Sequence, residues 1–239
     1  MKIFYVNKFL NRINVSLFGM KFNFRLPYNK TNYYVSLGKN CFVRCKLTTC
    51  GLKSKRKQGE ISFPFDLCVT PASSVAAILE NDFRDYFDDL EYVSDVDYYI
   101  NRKYNIKYTH DGILNMEAFL DRYKRRIENF RSVVKNNEHV FFMMTCFGYD
   151  FTIDDLNSIY KSLVRYRNNK PFVFMVAVFV DKNDKGIDTA NLNPNIVFRT
   201  YETPYGPEKF FDTWINGHEF DDDTINAVLL DVDKHACLK

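Results

Sequence analysis

Phe172–Val180 reads F-V-F-M-V-A-V-F-V, an unbroken apolar run. It is far shorter than the ~20 residues a membrane helix needs, and it has none of the alternation of a strand with one wet face. A strand of this kind is buried on both sides. Val140–Cys146 (V-F-F-M-M-T-C) and Ile196–Tyr201 (I-V-F-R-T-Y) are further strands. Between the first two, Thr152–Tyr166 has helical spacing, a Thr at its N-cap position and acids in its first turn, where the helix dipole favours them. Buried strands alternating with helices predict an α/β fold, with a mainly parallel central sheet flanked by helices.

Tyr33–Cys50 adds a junction to that sheet. Tyr33-Tyr34-Val35-Ser36-Leu37 has strand composition, Gly38 breaks it, and Asn40 is a good N-cap for a helix starting near Cys41 and ending at Gly51. A thiol at a helix start beyond the carboxyl end of a strand faces unsatisfied N–H groups and the positive end of the dipole. Both favour a thiolate, and the N–H groups can serve as an oxyanion hole. Cys41 is therefore the candidate nucleophile. Cys45, four residues on, reads as a core residue.

The motifs Ser36-Leu37-Gly38…Cys41, Pro64-Phe65-Asp66, His110-Asp111 and Arg125-Arg126-Ile127…Phe130 occur in that order. They resemble a bacterial family described as papain-like cysteine peptidases, which carries S-L-G-x-x-C, P-F-D-W, H-D and R-R-I-x-x-F. The likeness covers about Tyr33–Val180. It departs at Leu67, where the family has Trp, and at Gly112, where an aromatic residue commonly follows H-D. The resemblance implies a thiol-dependent hydrolase or acyl transferase and, as a competing architecture, a papain-like α+β fold.

A thiol nucleophile needs a base and a group to orient that base. His110 sits at the end of a strand-like segment, before a turn, and is the candidate base. His218 is the runner-up. Asp66 and Asp111 compete as orienter. Adjacent side chains on extended chain point oppositely, so Asp111 can serve His110 only if the turn redirects it.

Charge divides the chain. Of 33 Lys and Arg, 13 fall in the first 59 residues with no Asp or Glu, leaving 20 against all 30 acids. Residues 1–32 read as a basic appendage to a single domain over 33–239. Phe9, Ile13 and Leu17 are spaced for a short amphipathic helix up to Gly19, and Met20–Leu26 alternates as a strand does. Residues 1–26 have the composition of an element that binds an anionic membrane surface. The stretch L-F-G-M-K-F-N-F-R resembles the leader of many bacterial enzymes of surface-polysaccharide assembly. A sugar-transfer enzyme of surface-glycan assembly is accordingly one alternative function, and a non-catalytic binding module is another. The substrate class stays open among peptide, acyl and glycan.

The remaining readings narrow the field. Six cysteines in apolar or helical stretches, with no secretory signal ahead of them, point to a reducing cytoplasmic compartment, with a peripheral membrane association through the appendage. The cysteine spacings contain no C-x-x-C, so no metal site or cofactor is expected. The acidic body and the lack of a recognition signature argue against nucleic acid. Gly51–Gly59 reads as a solvated basic loop. Asp82–Asp97 reads as an acidic loop or a polar helix end. Thr70 reads as the cap of a helix opened by Pro71.

Overall fold

The computed structural model describes residues 4–9, 12–17, 20–25, 32–49, 52–54, 59–137 and 139–203, with positions 206, 209 and 228; over 4–25 it describes the backbone alone. Three strands come first: β1 (Phe4–Phe9), β2 (Arg12–Leu17) and β3 (Met20–Arg25). They form an antiparallel sheet in the order β1-β2-β3. The helix expected up to Gly19 is thus two strands, while the strand expected after it is present. The cause is a degenerate spacing: residues four apart share a helix face, and they also share a strand face, since four is a multiple of two.

β4 (Asn32–Ser36), β8 (His139–Phe147), β9 (Val173–Asp181) and β10 (Ile196–Thr203) make a four-stranded sheet in the order β10-β9-β8-β4. Every pairing in it is parallel, so the expected α/β class with a parallel sheet holds. The apolar runs are explained by two cores. Val35, Val140, Phe142, Met144, Phe174, Val176 and Val178 point into the larger one. It is completed by α2 (Ala72–Glu80), α3 (Met116–Asn136) and α4 (Ile153–Arg167). The alternate residues Tyr34, Phe141, Met143, Met175, Ala177 and Phe179 face the smaller one, under Phe42, Val43 and Leu47 of α1 (Phe42–Thr49).

Local chemistry starts and stops the helices. Asn115 Oδ1 accepts the Ala118 N–H at 2.8 Å to cap α3. Thr152 and Asp155 form a capping box on α4, each side chain accepting the other's backbone N–H. α2 differs from expectation: Pro71 precedes it and no side chain caps it. The Thr70 hydroxyl lies 3.1 Å from Cys68 Sγ instead.

A second antiparallel sheet, β5 (Leu90–Val93), β6 (Tyr98–Asn101) and β7 (Ile106–Tyr108), precedes α3. The acidic stretch Asp82–Asp97 therefore contains a strand. Four of its acids meet bases on other segments, among them Asp85 with Lys103 at 2.6 Å and Asp82 with Arg131 at 3.2 Å.

Candidate functional site

Past β4 the chain turns at Gly38, whose φ of +94° is strained for any residue with a Cβ. Asn40 Oδ1 accepts the Phe42 N–H at 3.0 Å, and Cys41 O accepts the Cys45 N–H at 3.0 Å. Cys41 thus opens α1 beyond the carboxyl end of β4, as its sequence context predicts. Its sulfur is half-buried, and so is that of Cys45. Cys45 is half-buried and lies in neither core, unlike Phe42, Val43 and Leu47 of the same helix.

Cys41 and Cys45 lie one turn apart on α1, near enough for each thiol to affect the other. That proximity sets their acidity in opposite directions. Accepting the Cys41 proton's hydrogen bond, with the charge of Arg44 beside it, pulls Cys45 below the ordinary thiol range against its burial. Donating that hydrogen bond, together with burial, pushes Cys41 up. The helix start alone predicts a thiolate on Cys41; the pair instead places the first negative charge on Cys45. Burial drives Cys68 and Cys146 up to about 12, so neither ionises near neutrality.

A chain of buried charges backs the pair. Arg44 donates from Nε and Nη2 to the two carboxylate oxygens of Glu60, at 3.1 and 2.7 Å. Lys53 Nζ lies 4.0 Å from Glu60 and donates to Asp66 Oδ2 at 2.6 Å. Its ammonium also sits 4.6 Å from the centre of the Phe63 ring. Lys53 is only 5% exposed. The solvated loop expected there is, at this residue, interior; residues 55–58 lie outside the described residues.

The other predicted site residues occupy distinct places. Two antiparallel bridges, Lys39 with Thr70 and Val69 with Lys107, set the segment around Cys68 between the Cys41 turn and β7. Two strand spacings, about 10 Å, therefore separate the backbones of Lys39 and Lys107, with Cys41 two residues past the first and His110 three past the second. His110 is exposed and has no hydrogen-bond partner among the described residues. Asp66 is fully buried, accepting from Lys53 and from the Phe63 N–H at 2.8 Å; its Oδ1 is without a partner. Asp111 is also buried, accepting from Arg122, from the Tyr123 hydroxyl at 2.8 Å and from Arg126 at 3.5 Å. Asp111 points in and His110 points out, so the turn does not redirect them toward each other. The structure places Cys41 and Cys45 on one turn of α1, ties each aspartate to a buried cation, and leaves His110 exposed. His218 lies outside the described residues.

Gly112 follows this turn for a steric reason. A Cβ there would stand 1.8 Å from the carbonyl oxygen of Asp97. Backbone, rather than a flexible side chain, blocks the space. Gly112→Ala is expected to destabilise the fold by about 2–3 kcal/mol, read as a lowered thermal midpoint. An unchanged midpoint would mean that Asp97 does not press on this turn.

Among the described residues, no group of three or more His, Cys, Asp or Glu side chains could hold a metal ion. No described helix is long and apolar enough to cross a membrane. Comparison of the chain with protein-family models, curated proteins and solved structures finds no match. Sequence reasoning missed Cys45, Arg44, Glu60 and Lys53. The four-residue spacing of the two cysteines was the one available signal.

Proposed function

We propose that this chain is a cysteine-dependent hydrolase or acyl transferase, papain-like in its chemistry, with Cys41 as nucleophile. The observation that carries the reading is a half-buried thiol opening a helix beyond a strand end, one helical turn from a second half-buried thiol. As Cys41 attacks a carbonyl carbon its proton passes to Cys45, and the new S–C bond forms as the acyl–leaving-group bond breaks. N–H groups of the first turn of α1 are the donors closest to the developing oxyanion; that of Phe42 is already held by Asn40. His110, exposed just past β7, acts on the leaving group and on water rather than on the sulfur.

A p-nitrophenyl acetate burst tests this. The protein should release one nitrophenolate per chain before steady state, and Cys41→Ser should abolish the burst. His110→Ala should keep the burst and slow the steady state about 100-fold. No burst, or a burst indifferent to Cys41→Ser, rejects the nucleophile. A steady state unchanged in His110→Ala puts the base elsewhere.

A further inference from the structure

The pairing register sorts the residues of the N-terminal sheet. Residues opposite each other on paired strands share a face, and so do residues two apart on one strand. Val6, Val15 and Phe22 form one such row across β1, β2 and β3. The two flanking rows put five more apolar residues and Lys8 on the same face. The other face carries the row Asn7, Asn14 and Asn23, with Arg12, Lys21 and Arg25 beside two aromatic residues. An apolar sheet face has to be buried against something. Residues 1–32 hold six Lys and Arg and no acid, so an acidic cover suits this one.

The α/β domain carries a surface of that kind. Six large apolar side chains are exposed among the described residues, and four of them, Tyr92, Val96, Ile113 and Met116, lie in one place. The Tyr92 hydroxyl donates to Asp97 Oδ1 at 2.6 Å, and the Asp97 carbonyl stands against Gly112. Tyr99, the cross-strand partner of Tyr92, donates its hydroxyl to Leu114 O at 2.8 Å. These contacts draw β5, the turn after it and the start of α3 together. Single exposed apolar residues need no explanation, whereas a cluster marks a contact surface. Ile113 is 90% exposed, so its own chain does not cover it. The margin is acidic: Asp95 adjoins Val96, Glu117 adjoins Met116, and Asp121 follows one turn later. All three are exposed and make no ion pair among the described residues.

We propose that two copies of this chain associate reciprocally, each laying the apolar face of β1–β3 on the Tyr92, Val96, Ile113 and Met116 surface of the other. Apolar residues meet apolar residues, and the acid-free segment meets unpaired acids. Two equivalent contacts related by a twofold axis close the assembly as a dimer. A bilayer fits less well. A sheet face laid into hydrocarbon would leave the outer backbone groups of β1 and β3 without partners, and the acid-margined surface would stay bare. The inference stands apart from the acyl-transfer reading, since it uses neither thiol nor His110.

Sedimentation velocity of the full-length protein over about a hundredfold range of concentration tests this. A dimer should form as concentration rises, and added salt should weaken it. Ile113→Asp should raise the dissociation constant at least about tenfold with the thermal midpoint unchanged, because the position is exposed. Val15→Asp should do the same from the other side of the contact, and the milder Val15→Thr should act in the same direction by a smaller factor. Asn14→Asp, which adds the same charge to the opposite sheet face, should leave the dimer intact. Mixing Ile113→Asp with Val15→Asp should restore a heterodimer, since one sound contact remains between the first variant's sheet and the second's surface. The proposal is overturned if the wild type stays monomeric, if Ile113→Asp dimerises as the wild type does, or if the mixture gives no heterodimer. It is also overturned if the wild-type monomer binds phosphatidylcholine–phosphatidylserine vesicles and Val15→Asp abolishes that binding with no dimer in either protein; the apolar face then belongs to a membrane. The nitrophenyl ester burst scores the acyl-transfer reading separately.

Discussion

Asp66→Ala is expected to cost about 3–5 kcal/mol of stability, a fall of roughly 6–20 °C in thermal midpoint for a chain of this size. The aspartate has no exposed surface, and its Oδ2 accepts from Lys53 Nζ and from the Phe63 N–H. Removing it strands an ammonium that is itself 5% exposed. Glu60, at 4.0 Å, is already engaged by the Arg44 fork and compensates only in part. The loss measures a charge left unpaired in the interior rather than the net worth of the pair. Replacing both partners together, Lys53→Met with Asp66→Leu, should therefore recover most of it. Urea unfolding of the two variants distinguishes this structural role from that of an orienter for His110. If Asp66→Ala keeps the wild-type midpoint yet loses ester turnover, the ion pair is not what the residue is for.

Cys45→Ser should move the pH at which Cys41 becomes reactive. In the intact pair the first proton is lost below the ordinary thiol range, because the remaining S–H donates to the thiolate and Arg44 faces it. With the partner gone, Cys41 is a single half-buried thiol, and its alkylation midpoint should lie at or above about 8.5. The rate at neutral pH is a poorer readout. Each unit of pKa lowering multiplies the thiolate fraction by up to about ten but cuts the reactivity of each thiolate roughly threefold. The net gain is only about threefold per unit, so the midpoint carries the signal. Iodoacetamide labelling of both sites across pH 5–10 gives the two profiles. A midpoint for Cys41 in the Ser variant that coincides with that of the intact pair would show that Cys45 does not share its proton.

Local and periodic features of the chain determined much of this structure. The apolar runs at Val140–Cys146 and Phe172–Val180 required a sheet covered on both faces, and they lie in β8 and β9 between two cores. The capping chemistry of Thr152 and of Asn40 operates within a few residues, and it was legible for that reason. The strand–Gly–helix junction likewise put Cys41 at the opening of α1.

Tertiary structure alone decided what each polar group meets. Lys53 reads as one more cation in a basic stretch until Asp66, thirteen residues on, is folded against it. His110 and Asp111 are adjacent in sequence, yet Arg122, Tyr123 and Arg126 of α3 draw the aspartate inward and the imidazole is left in solvent. Phe9, Ile13 and Leu17 satisfy helix and strand periods alike, and only the pairing of β2 with β1 and β3 selects the strand. The four-residue gap between Cys41 and Cys45 makes them neighbours in any helix. Whether that helix turns them into the core or toward solvent depends on how α1 lies on β4 and β8, a contact between segments a hundred residues apart that no local pattern encodes.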